Sequence, residues 1–172
     1  RMFASTLAKS VSTTPAPLSD NSSRKCRCLR AEALMLASRY IYEWAGQLRT
    51  IRIGKGGNWF CYPEYIQPHL EKMFARLKQL NHLKGLNRQA FSRKAAHILA
   101  EINAVHPFRE GNGRTQLVFL MLLVEQAGFS FDADVLTRNR VLRAMIDSFS
   151  GAEEPLAALI LDIISDHPKP GA

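Results

Sequence analysis

The stretch "HPFREGNGRTQL", residues 106–117, decides how this chain is read. It sets a histidine, a carboxylate, two glycines and two arginines directly before the apolar run "LVFLMLLV", residues 117–124. Charge and glycine ordinarily mark a solvated loop, whereas the run that follows has the composition of deep core. Glycine on both sides of Asn112, placed where a helix begins, lets successive backbone N–H groups converge on one point. The helix N-terminus adds partial positive charge there. Gly111, Asn112 and Gly113 thus form an anion-binding nest suited to phosphate, and Arg114 in the first turn adds a fork of donors for the same oxygens. Glu110 is out of place beside phosphate unless a cation lies between them, and a carboxylate with phosphate oxygens is a usual way of holding Mg2+. His106, at the end of the preceding helix, titrates in the range that lets it take a proton from an attacking hydroxyl. Phe108 alternates with polar residues and reads as the anchor pinning the loop to the core. A base, a metal carboxylate, an anion nest and a phosphate arginine are the inventory of phosphoryl or nucleotidyl transfer.

Working outward, "NRQAFSRKAAHILAEINAVH" is an amphipathic helix with Asn87 as its cap. "NGRTQLVFLMLLVEQAG" is a helix stopped at Gly128, and its apolar residues on every side predict that other helices surround it. Two more helices are expected over about residues 138–149 and 153–165. Upstream, "PEYIQPHLEKMFARLKQLNHL" reads helical from Pro63, a natural first-turn residue, with Pro68 an early irregularity. Residues 30–44, "RAEALMLASRYIYEW", carry helical spacing as well. Between these last two, "RTIRIGKGGNWF" changes period: Ile51 and Ile53 alternate with Arg52, "GKGG" supplies turn chemistry, and Trp59 and Phe60 resume. This is a β-hairpin, the one strand signal in the chain. The expected fold is all-α, a compact helical bundle with a small β-hairpin.

The 172 residues suffice for one domain with a hydrophobic core, in keeping with 47% hydrophobic content. The longest uninterrupted apolar run is eight residues, so the folded part is expected to be soluble, with no membrane partner. Cys26, Cys28 and Cys61 do not pair evenly, and with His69 they have the wrong spacings for a zinc site. Reduced thiols in a cytosol-like compartment are the simpler reading. The net charge of +8 is uneven, +11 over residues 1–105 and −3 over residues 106–172. The basic residues are scattered over several elements, without aromatic interleaving or a reader motif, so a solvated basic surface is favoured over nucleic acid. Residues 1–29, rich in Ser and Thr, read as a flexible leader or a truncated upstream segment; residues 30–167 form the domain and 168–172 a tail.

The residues "HPFREGNGR" resemble the signature of the Fic (filamentation induced by cAMP) domain family, H-x-F-x-[DE]-G-N-G-R-x-x-R, without a break from His106 through Arg114. "IYEWAGQLRTIRIGKGGNWF" is similar to the family's segment leading into its flap hairpin, and the similarity covers about residues 30–165. The resemblance implies a Fic-type helical bundle with a β-hairpin flap, and transfer of AMP from ATP to a Ser, Thr or Tyr hydroxyl of a target protein. It implies His106 as the base, Glu110 as the Mg2+ carboxylate, Gly111, Asn112 and Gly113 as the anion hole, and Arg114 on phosphate, with Phe108 supporting the nucleotide site. ATP and Mg2+ are the implied cofactors. The flap, with Ile51, Arg52, Ile53, Lys55, Gly56 and Gly57, would bind an extended target segment as an added strand. Such a domain acts in the cytoplasm or is delivered into another cell as an effector.

The pattern breaks at its last position, where Leu117 replaces an arginine. Losing that charged contact to phosphate costs on the order of 1–3 kcal/mol. A bland account makes Leu117 part of its helix's core; the alternative to an active transferase is a degenerate domain that binds nucleotide or a partner without efficient turnover. The family's inhibitory pattern, [ST]-x-x-x-E-[GN], is also missing: Ser150 and Glu154 approach it, but Pro155 follows. Regulation then falls to a separate antitoxin-like protein or to none.

Overall fold

The computed structural model describes residues 46–166, so the helix expected over residues 30–44, the leader and the tail lie outside the described residues. The hairpin forms from β1 (Gly54–Lys55) and β2 (Asn58–Trp59), antiparallel, with Gly54 opposite Trp59 and Lys55 opposite Asn58. Gly56 and Gly57 close it with φ of +58° and +84°, the left-handed pair that a two-residue turn demands. Phe60 N–H donates to Ile53 C=O at 3.1 Å and extends the pairing by one rung. Ile51 and Arg52 precede the ladder, which is therefore shorter than the expected 51–60 segment. The cause is local: Ile51 C=O accepts from the Arg49 guanidinium at 2.7 Å.

Helix α1 (Pro63–Gln79) starts on a proline with Glu64 in its first turn and Arg76 and Lys78 in its last, in the sense the helix dipole favours. It runs on through Pro68 and buries Ile66, Leu70, Met73 and Leu77 on one face. A short 3₁₀ turn, Asn81–Leu83, leads to α2 (Arg88–Val105). As expected, the Asn87 side chain caps α2, accepting from Ala90 N–H at 2.8 Å. Helix α2 packs against each of the other four helices among the described residues, which places it at their centre. Among its core residues Phe91 is fully buried, worth about 2 kcal/mol on transfer grounds.

Helix α3 (Asn112–Ala127) ends on left-handed Gly128, as its sequence predicts. Among the described residues, however, it is not fully surrounded. Phe119, Leu120, Leu123 and Val124 form one buried stripe, while Val118 is 40% exposed and Leu117, Met121 and Leu122 are half-buried. All-round apolar composition here reflects a wide apolar face with partly open flanks.

Helix α4 (Arg138–Phe149), capped by Thr137, matches its predicted bounds. Helix α5 (Glu154–Ile163) is shorter than expected, because Ile164 turns extended and enters β4 (Ile164–Ser165). β4 pairs antiparallel with β3 (Ser130–Phe131), a second two-stranded ladder that the sequence did not announce. No helix among the described residues is long and apolar enough to cross a membrane.

Candidate active site

The site lies where α2 ends and α3 begins. His106 is the C-cap of α2, its N–H donating to Ile102 C=O at 2.9 Å. Its backbone is left-handed, φ 48° and ψ 63°, a conformation that costs a non-glycine residue about 1 kcal/mol. The following Pro107 cannot extend the helix, so the chain turns away here. His106 Nδ1 lies 3.2 Å from Asn103 C=O, which only accepts, so the proton resides on Nδ1 and Nε2 is left as the basic nitrogen. Burial pushes the imidazole pKa below the ordinary histidine value; the Asn103 carbonyl opposes this, Arg49 and Lys55 reinforce it, and Glu110 opposes it more weakly. The ring is therefore neutral near pH 7, the state a general base needs.

Residues 107–111 form a tight loop held from within. Asn112 is 5% exposed, and its side-chain amide closes both halves of a bridge to Phe108: Nδ2 donates to Phe108 C=O at 2.7 Å, and Oδ1 accepts from Phe108 N–H at 3.0 Å. Phe108 itself is buried, the anchor its position suggests. Gly111 begins α3 in a left-handed conformation, φ +84°, which a side chain would strain. No side chain caps α3, and the first intrahelical bond runs from Thr115 N–H to Gly111 C=O at 2.9 Å. The N–H groups of Asn112, Gly113 and Arg114 are thus left as the free donors of a helix start. A Cβ placed on Gly113 would meet no heavy atom within 4 Å, so packing does not dictate glycine there.

Glu110 and Arg114 are both exposed, and neither is tied up in an ion pair among the described residues. A free carboxylate beside unpaired N–H donors and a free guanidinium suits an anion accompanied by a divalent cation. Leu117, one turn after Arg114, is half-buried and lies outside the core cluster.

Sequence reasoning missed two residues that hold the site together. Arg49 is only 2% exposed and donates to four carbonyls: Ile51 before the hairpin, Cys61 after it, and Val105 and His106 at the end of α2. Its own N–H adds a bond to Pro107 C=O at 2.9 Å. Phe60 stacks on the His106 ring. These contacts bring hairpin and motif together. The other hairpin residues sit farther out: Ile51 is 47% exposed, Ile53 is half-buried, and Arg52 lies over the Trp59 and Tyr62 rings at 4.5 and 4.1 Å. Lys55, Gly56 and Gly57 are exposed at the tip. A regular pattern of burial or charge could have flagged Arg49 only as a lone cation before an alternating stretch.

Comparison with known proteins decides what this arrangement is. The profile of the Fic/DOC family matches residues 29–124, more than half of the chain and the whole of the nest. The chain belongs to the Fic/DOC family. A 56% identical Fic relative over 125 residues is the probable protein adenylyltransferase y4lH of Sinorhizobium fredii, the match covering 72% of this chain and 65% of that protein. The protein adenylyltransferase VbhT of Bartonella schoenbuchensis is 38% identical over 120 residues, covering 70% of this chain and 25% of VbhT. The chain thus spans just under two thirds of one curated relative and a quarter of the other. Among solved structures, the BepC protein of Bartonella tribocorum with bound AMPPNP, a VirB-translocated effector, superposes with a TM-score of 0.70 at 26% identity, over 86% of this chain and 81% of BepC. The fold is the Fic bundle with its hairpin.

Proposed function

We propose that this chain is a protein adenylyltransferase, transferring AMP from ATP to a Ser, Thr or Tyr hydroxyl of a target protein. One observation carries the reading: an uncapped helix N-terminus, with free Arg114 and Glu110, opens beside a histidine whose Nε2 is unprotonated. The target hydroxyl oxygen attacks the α-phosphorus of ATP and gives its proton to His106 Nε2. The bond from the α-phosphorus to the oxygen bridging to the β-phosphate breaks, and pyrophosphate leaves. The backbone N–H groups at Gly111, Asn112 and Gly113 and the Arg114 guanidinium bind the phosphates, on a loop that Phe108 anchors. Glu110 would hold Mg2+, which supplies neutralisation of phosphate charge when bound; the free carboxylate next to an anion site is the fit.

The hairpin is the docking edge. Each of its strands has an outer edge unpaired among the described residues, so a target segment can add beside Ile51, Arg52 and Ile53 on one side of the tip formed by Lys55, Gly56 and Gly57. Adenylyltransferase relatives and a nucleotide-bound effector neighbour support this reading over binding without turnover, and Leu117 bears on its rate. The effector neighbour also supports action inside a cell, either its own cytoplasm or one into which the protein is delivered. An antitoxin-like partner remains the regulator this reading favours, since Pro155 interrupts the inhibitory pattern in the chain itself. Incubation with labelled ATP, Mg2+ and a cell lysate should label a target band. The His106→Ala protein should leave it unlabelled; a band equally strong with both would refute the assignment.

A further inference from the structure

Phe60 directly follows β2 and touches the ring of His106. Its ring lies flat on the His106 imidazole, with centroids 3.8 Å apart and planes 16° apart. Phe149, the last residue of α4, meets the same ring edge-on at 5.4 Å and 80°. Phe60 is therefore wedged between the base and the bundle. Its backbone is fixed on both sides: its own N–H donates to Ile53 C=O at 3.1 Å, and the next N–H, of Cys61, donates to Ala104 C=O at 3.2 Å. Arg49 completes the frame, since the guanidinium that binds Cys61 C=O also donates through Nε to His106 C=O at 2.8 Å.

A single hydrogen bond to Asn103 fixes one edge of the imidazole but leaves its plane free to tilt about that edge. The flat aromatic neighbour removes this freedom, because tilting would either open the stack or drive the rings together. We propose that Phe60 is a positioning residue for His106: it sets the plane of the imidazole so that Nε2 keeps one bearing, and Arg49 holds Phe60 there by tying the end of the hairpin to the His106 carbonyl. The element that receives the target thus also orients the base. This rests on His106 acting as the base in the proposed reaction, while the geometry it describes is independent of that reaction.

The test uses the full chain with Phe60→Ala, Phe60→Leu and Phe60→Tyr, and two readouts. In proton NMR the His106 ring signals, identified by their absence from His106→Ala, should lie upfield in the unaltered protein because of the Phe60 ring current. They should move downfield in the Ala and Leu variants and hold their place in Tyr. In kinetics, the Ala and Leu variants should lose on the order of tenfold to a hundredfold in kcat with KM for ATP nearly unchanged, and Tyr should restore kcat. Leu keeps most of the side-chain volume, so it carries the test if Ala does not fold. Ring signals that stay put in Phe60→Leu would overturn the proposal, as would Leu restoring kcat as fully as Tyr, or kcat and KM for ATP failing together. An unaltered protein that transfers no AMP would refute the adenylyltransferase reading, and the NMR comparison would still decide the role of Phe60.

Discussion

His106 owes its reactive form to one acceptor. Because Asn103 C=O takes the Nδ1 proton, the pair of electrons available for a hydroxyl proton is on Nε2. Burial holds the imidazole pKa below about 6.5, helped by Arg49 and Lys55 against the Asn103 carbonyl and Glu110. A base must be unprotonated, so activity should be flat through neutral pH and fall only as pH drops below about 6.5 toward the lowered value. A profile of kcat/KM against pH checks this: its acid limb should have its midpoint below that of free histidine. Leu117 is the other position where a single side chain matters. It shares a helix face with Arg114, is half-buried rather than core, and has no charge to offer phosphate. Leu117→Arg should therefore keep the fold and raise kcat/KM for ATP about tenfold to a hundredfold, the worth of one charged contact. Steady-state kinetics with varied ATP measures it directly.

At the level of elements, Arg49 stitches the hairpin to the end of α2. Its guanidinium satisfies carbonyls at both ends of the hairpin and two at the helix terminus, where orphan carbonyls are otherwise expected. Arg49→Met removes those donors from a buried place and should lower stability by about 3 kcal/mol in chemical denaturation. Arg49→Lys should recover only part, since an ammonium does not span four carbonyls with a planar fork. The stitch was not legible in the sequence, because the two partners at the helix terminus stand 56 and 57 residues away and periodicity reports only neighbours along the chain. The same limit hid the β3–β4 ladder, where two-residue strands leave no alternation to read. What was legible is what local chemistry specifies. Asn87 announces the start of α2, Gly128 the end of α3, "GKGG" the hairpin turn and "EGNG" the helix start beside His106. The Phe60 stack belongs to the illegible part: the hairpin residue was visible, its contact with the base was not.

Over the described residues the molecule is a bundle built around α2, with α3 held in register at the site by the Asn112 bridge to Phe108. This explains why a polar loop runs straight into apolar sequence. A helix with a well-buried stripe keeps its own N-terminus rigid, and on the proposed reading this uncapped N-terminus receives phosphate with donors that need no rearrangement during reaction. His106, the proposed base, stands at the end of the neighbouring helix, and the hairpin meets it through Phe60 and Arg49. The proposed AMP transfer requires attack at the phosphorus nearest the nucleoside, which separates it from transfer of a terminal phosphate. The most direct test supplies ATP labelled at either the α- or the γ-phosphate, with Mg2+ and lysate, to the unaltered chain and to His106→Ala. The account predicts that target protein takes up α-label only, and only with His106 present. Incorporation of γ-label, or α-label undiminished in His106→Ala, would contradict it.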